Sequence, residues 1–180
     1  MLRQILNPSK NILTLYGVLS LFFLVAYIWN FSFVWEYFSS VTFYVIGLLV
    51  ILIVGLYIAF HLDKNFKWRT KQYFKISIIQ LVIIWGIANP IRTWQINSSY
   101  AKARLIIEPL KTYKLQFGQY PKTLKELEEK LHQNIPTRTN IGTRYRYKLN
   151  GGQDYNLDFI SYYGYAAYYN NENDKWVLTD

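Results

Sequence analysis

The sequence predicts a membrane all-α N-terminal part with three transmembrane helices, followed by a small α+β domain. Three observations lead there. Long stretches between residues 11 and 95 carry almost no charge and are dominated by Ile, Leu, Val, Phe and Trp. From Ile96 the chain becomes polar and rich in Tyr. Near Arg144 the apolar period changes from that of a helix to that of a strand. The division is expected at residues 95 and 96. Residues 1–95 form the anchor, with spans at about 12–30, 41–60 and 75–95, and residues 96–180 form the domain.

The first span lies in a window without charge between Lys10 and Glu36, the second between Glu36 and Asp63. Each is long enough to cross about 30 Å of hydrocarbon at about 1.5 Å per residue. Lipid offers no partner for backbone polar groups, so both are expected to be helical despite many β-branched residues. Gly47 and Gly55 leave room for close helix contact. The third span is bounded by Lys75 and Arg92, which must snorkel to the two interfaces. Ile78, Ile79, Leu81, Val82, Ile83, Ile84 and Trp85 cover every face of that helix, as burial in lipid requires. Tyr73, Phe74 and Trp94 stand where aromatic belts form, and Asn89-Pro90 suggests a kink near the outer end.

Loop charge sets the direction. Residues 30–40 contain no Lys or Arg, whereas the second loop holds Lys64, Lys67, Arg69, Lys71 and Lys75 against the single acid Asp63. Arg3 and Lys10 precede the first span. The positive-inside rule then places the N-terminus and the second loop in the cytoplasm, and the C-terminal domain outside it. A multi-pass protein of the bacterial cytoplasmic (inner) membrane with a periplasmic domain is the localisation expected. No cleavable signal peptide is evident, because the first apolar run is too long and lacks a small-residue cleavage site.

In the domain, Ser98 or Ser99 is expected to cap a long helix reaching about Phe117. Ala103, Ile106, Leu110, Tyr113 and Phe117 make its apolar stripe, Pro109 should kink it, and Gly118 should stop it. Thr123-Leu124-Lys125-Glu126 is a capping box that opens a short helix through about His132, with Leu124, Leu127 and Leu131 inward. Tyr145, Tyr147 and Leu149 then alternate with Arg144, Arg146 and Lys148. After Asn150-Gly151-Gly152-Gln153, Tyr155, Leu157 and Phe159 alternate with Asn156 and Asp158, the pattern of a hairpin. A second hairpin is expected around residues 170–174, which completes an antiparallel four-stranded meander.

Ile106-Ile107, Leu110, Tyr113-Lys114, Gly118, Tyr120-Pro121, Thr123-Leu124 and Leu127 resemble the body of the major pseudopilin of type II secretion. The similarity spans roughly residues 76–178. It implies an apolar helix running into a globular domain, a Gly-x-Tyr-Pro loop, a short helix and an antiparallel sheet. It also implies a calcium site in a C-terminal loop, which would fall at Asn170, Glu172 and Asp174. Residue spacing alone reads those positions as an ordinary hairpin turn, since the full calcium-loop pattern is absent. The chain has no prepilin peptidase signature and no Glu near the start of its third apolar segment. Two additional spans precede that segment, whereas a pseudopilin is cleaved and polymerises through its N-terminal helix.

Composition excludes several chemistries. There is no Cys, so disulfides, thiolate metal sites and Cys nucleophiles are ruled out. The net charge of +9 concentrates near the second loop, and residues 96–180 hold twelve Lys or Arg against nine Asp or Glu. Nucleic acid is therefore not an expected partner, because a phosphate-binding face needs concentrated charge. His61 and His132 have no nucleophile or metal-ligand spacing beside them. Glu126, Glu128 and Glu129 sit where the helix dipole favours acids, which explains them without catalysis. No enzyme activity and no cofactor are expected.

Tyr162, Tyr163, Tyr165, Tyr168, Tyr169 and Trp176 form the densest functional candidate. Adjacent tyrosines on a strand point to opposite faces, so some of the six must be exposed. Exposed Tyr and Trp are typical of protein-binding surfaces, and they also suit the lipid interface or a wrapped core. Tyr162, Tyr163, Tyr168, Tyr169 and Trp176 are the expected protein-binding residues. The partners expected are the lipid bilayer and a protein on the extracytoplasmic side. The functional expectation is a non-catalytic, membrane-anchored binding protein, for example a bacterial immunity protein against an envelope-targeting toxin. The alternative is a structural component of a pseudopilin-like secretion or envelope assembly.

Overall fold

The structure, a computed structural model, describes residues 2–35, 42–151, 153–171 and 173–179. Val41, where the second span was expected to begin, and Gly152 and Glu172 in the two hairpin turns lie outside the described residues. The chain divides into two compact units, Met1–Arg92 and Thr93–Asp180.

The first unit is helical. A short helix α1 (Leu2–Leu6) precedes α2 (Lys10–Phe31), α3 (Thr42–Phe66) and the start of α4 (Lys71–Phe117). Three of these helices, α2, α3 and α4, are long and apolar enough to cross a membrane. Polar groups placed at that depth must find partners within the protein. Gln80 of α4 does so: its Nε2 donates to the Gly17 carbonyl at 2.8 Å, and its Oε1 lies 2.9 Å from the Ser20 hydroxyl. Tyr16 and Ser77 share a hydrogen bond of 2.6 Å along the same seam between α2 and α4. Gly55 of α3 is the close contact with α4, because a Cβ there would stand 2.3 Å from Phe74 Cε1.

The second unit contains the rest of α4, the short helix α5 (Leu124–Leu131) and strands β1 (Tyr145–Asn150), β2 (Asp154–Ile160), β3 (Ala166–Asn170) and β4 (Lys175–Thr179). The strands form an antiparallel sheet in the order β1-β2-β3-β4, the expected meander. Tyr145 pairs with Phe159, Tyr147 with Leu157 and Leu149 with Tyr155. This register puts the apolar alternation of both strands on one face. That face packs on Ala103, Ile106, Ile107 and Leu110 of α4 and Leu127 of α5. Leu124 and Leu131 flank the same core.

One boundary differs from expectation. No helix starts at Ser98 or Ser99; α4 runs unbroken from Lys71 to Phe117. A serine caps only where the backbone leaves the helix. Here Ser99 is fully buried, and its hydroxyl donates back to the Gln95 carbonyl at 2.8 Å, the i−4 bond of a residue inside a helix. The same oxygen accepts from the Asn140 N–H at 3.0 Å, so Ser99 holds a loop rather than a helix end. The helix also continues through Pro90 and Pro109, each of which removes one backbone bond. Gly118, at φ +74°, ends α4 as expected, with its N–H on the Lys114 carbonyl at 2.9 Å. The apolar stripe fades before that point, since Phe117 is exposed.

Candidate functional site

Tyrosine dominates the core of the second unit, and each buried ring has a phenol to satisfy. The Tyr145 hydroxyl donates to the Ser99 carbonyl at 2.6 Å, and that of Tyr147 to the Pro121 carbonyl at 2.6 Å. Tyr113 donates to Glu126 Oε1 at 2.7 Å. Tyr162 donates to Gln95 Oε1, and Tyr169 to Asp174 Oδ1. Burial pushes the phenols of Tyr145, Tyr147 and Tyr155 well above their ordinary value. For Tyr169 burial is again the main cause, with the Asp174 carboxylate adding to it.

The six aromatic candidates therefore divide. Tyr162 and Tyr169 are packed into the core, 6% and 4% exposed. Alternation required Tyr168 and Tyr169 to take opposite faces; the inner one is Tyr169, beside Leu157 in the register. Trp176 is half-buried, stacked on Tyr100 at 5.1 Å and packed against Phe159 at 5.3 Å. Tyr165 and Tyr168 are exposed. Tyr168 stands on the outer face of the sheet, between Asp158 and Val177 in the pairing, and Asp158 in turn pairs with Arg146. The side chain of Tyr163 lies outside the described part of the chain.

A groove of about 530 Å³ lies between α4 and the β3–β4 hairpin. One wall is a helical face of α4, including Asn97, Ala101, Arg104 and Glu108. The other is the β3–β4 hairpin, through Tyr169, Asp174 and Trp176, with Tyr100 and Ile107 at the base. The base is apolar and the rim carries Arg104, Glu108 and Asp174. Lys111 bridges the rim, 3.8 Å from Glu108 Oε1 and 3.5 Å from Asp174 Oδ1. The Tyr169 hydroxyl and then Lys111 hold the Asp174 carboxyl below its usual value. Lys111 thus holds both carboxylates at the rim. Ala101 and Arg104 are exposed and take no part in the core.

The remaining sequence candidates have structural roles. Glu126 completes a capping arrangement in which its own N–H bonds Thr123 Oγ1 at 3.1 Å, while its Oε2 accepts from the Lys122 N–H at 2.8 Å. The Tyr113 hydroxyl first, and then the Lys122 N–H, hold the Glu126 carboxyl below its usual value. His132 ends α5 in the left-handed region at φ 51°, and His61 packs edge-on against Tyr57 at 4.6 Å. In the second turn Asn170 Oδ1 accepts from the Asn173 N–H at 3.2 Å, and Asp174 is held by Tyr169 and Lys111. Among the described residues no three His, Asp or Glu side chains cluster as metal ligands do.

Sequence reasoning missed the groove, because Asn97, Ala101, Arg104 and Glu108 read as an ordinary solvated helix face until the hairpin is placed beside them. It also missed Gln80, for which a signal existed: a polar residue inside an uncharged span usually faces another helix. Comparison with protein-family models, curated proteins and solved structures finds no match to this chain.

Proposed function

We propose that this is a non-catalytic, membrane-anchored binding protein whose α+β domain captures another protein outside the cytoplasm. The groove beside Trp176 carries the reading. Tyr100 and Ile107 at its base lie beside the half-buried Trp176, and its rim presents Arg104 and Glu108 to a partner. Buried aromatic anchors ringed by charge are where protein interfaces concentrate their affinity. The orientation rests on the charge difference between the loops, with Lys64, Lys67, Arg69, Lys71 and Lys75 inside. An immunity protein that neutralises a toxin in the envelope of a bacterium is the concrete form of this reading.

The test places a photo-crosslinking residue at Ala101 in the groove or at Tyr168 on the outer sheet face, in living cells. A discrete protein adduct from position 101, lost when Arg104 is replaced by Glu, is expected. Filling the groove with Ala101→Trp should abolish capture, and toxin protection with it, while the domain stays folded. An adduct only from position 168 moves the interface to the sheet. No adduct from either position, with undisturbed secretion and toxin resistance on deletion, sinks the binding reading.

The unbroken α4 favours a second reading, a structural component of a pseudopilin-like assembly, because such assemblies are built on a helix that continues from the membrane into the domain. Fold analogy is weak evidence for function. A secretion defect on deletion, without toxin sensitivity, would select it.

A further inference from the structure

The end of the helical unit that carries the α3–α4 turn gathers several cations that have no carboxylate in ion-pair distance among the described residues. The Arg69 N–H donates to the Leu6 carbonyl at 2.9 Å, which ties the chain entering α2 to the turn joining α3 and α4. Lys10 opens α2, Lys64 closes α3, Lys67 and Arg69 lie in the turn, and Lys75 follows one turn into α4. The acid of this region, Asp63, is buried and otherwise engaged. Its Oδ1 accepts from the Thr70 N–H at 2.9 Å and the Thr70 hydroxyl at 2.7 Å, and its Oδ2 from the Lys71 N–H at 2.9 Å. It caps α4, where the helix dipole favours a negative charge. Lys71 lies over the Phe60 ring at 5.3 Å. Lys64, Lys67, Arg69 and Lys75 are exposed, and among the described residues no carboxylate forms an ion pair with them. Phe66 and Trp68 stack at 4.8 Å in the same turn, aromatic rings of the kind that sit at headgroup depth.

We propose that this basic end binds the phosphate headgroups of anionic phospholipids. The inference rests on reading α2, α3 and α4 as membrane spans. At the boundary of three apolar helices the anion at hand is a lipid phosphate. Each exposed Lys or Arg near such a surface strengthens attraction to anionic lipid by roughly fivefold. The Asp63 cap matters here because it removes the one local acid from competition for these cations.

The experiment uses the full chain in nanodiscs of phosphatidylcholine alone or mixed with phosphatidylglycerol, and counts retained lipids by native mass spectrometry. Wild type should retain phosphatidylglycerol above its share in the disc and melt higher in the mixed discs. Both effects should shrink with added salt. Replacing Lys64, Lys67, Arg69 and Lys75 by Gln should abolish the enrichment, whereas Lys64→Arg, Lys67→Arg and Lys75→Arg should keep it. Should the combined Gln variant fail to fold, single Gln substitutions each lower enrichment by roughly fivefold. Inorganic phosphate should not reproduce the melting shift; if it does, the site takes a soluble anion and the lipid assignment is overturned. Equal enrichment in wild type and Gln variants overturns it as well. A protein that fails to enter discs refutes the membrane reading instead, so the two failures are distinguishable.

Discussion

Glu126 joins three parts of the domain, and its removal is the most quantifiable perturbation. Its carboxylate accepts from the Tyr113 hydroxyl of α4 at 2.7 Å and from the Lys122 N–H at 2.8 Å, while its N–H binds the Thr123 cap of α5. Glu126→Gln preserves the shape but leaves one acceptor oxygen, so an NH2 group must face a donor. Hydrogen bonds to a charged group are worth about 1.5–3 kcal/mol, and partial exposure of Glu126 lowers that, so a loss of about 2 kcal/mol is expected. In a cycle with Tyr113→Phe, a coupling of about 1 kcal/mol should remain, since the two side chains touch. The sign of the pH effect follows from the depressed carboxyl. Its contribution is fully present above the ordinary carboxylate value of 4.5 and is lost as pH falls through the lower folded value. Urea unfolding of the reconstituted protein, followed by near-ultraviolet circular dichroism, measures both. Additive single mutants with a wild-type advantage that persists unchanged into acid would refute the reasoning.

Alkali should act through the buried phenols. Tyr145, Tyr147, Tyr155 and Tyr169 are all held above the ordinary value of 10.0, so the folded state keeps protons that the unfolded chain releases. Stability is therefore full below that value and falls as pH rises beyond it, and tyrosinate absorbance should appear together with loss of the sheet; titration of these phenols with the sheet intact would contradict their burial. In the helical unit, Gly55→Ala should destabilise by about 1–3 kcal/mol in mixed-micelle unfolding, because its Cβ would collide with the Phe74 ring. Phe74→Leu should recover part of that loss, and a Gly55→Ala protein as stable as wild type would show that the contact is not tight.

The sheet was legible because its signal is local. Charged and aromatic residues alternate from Arg144 to Phe159, and a strand can bury only one of the two sets. The same alternation separated Tyr168 from Tyr169, but it could not say which turns inward, because that depends on where α4 lies. The continuity of α4 was not legible for a different reason. Ser98-Ser99 follows a change from apolar to polar sequence, the usual mark of a helix start. What decides is the Asn140 N–H, which reaches Ser99 from 41 residues away and rewards a buried hydroxyl inside the helix. The groove is likewise a product of tertiary packing, since Arg104 and Glu108 gain their setting only from the β3–β4 hairpin.

The side of the membrane on which the α+β domain lies tests the account most directly. Alkaline phosphatase, which folds only outside the cytoplasm, and green fluorescent protein, which fluoresces only inside it, can each be fused after Asp180 and produced in a bacterial host. The positive-inside rule, applied to Lys64, Lys67, Arg69, Lys71 and Lys75, leads to the expectation that the α3–α4 turn lies in the cytoplasm. The account predicts an active phosphatase and a dark fluorescent fusion at this position, with the reverse pattern for fusions in the α3–α4 turn. A fluorescent C-terminal fusion without phosphatase activity would place the domain in the cytoplasm and contradict the account.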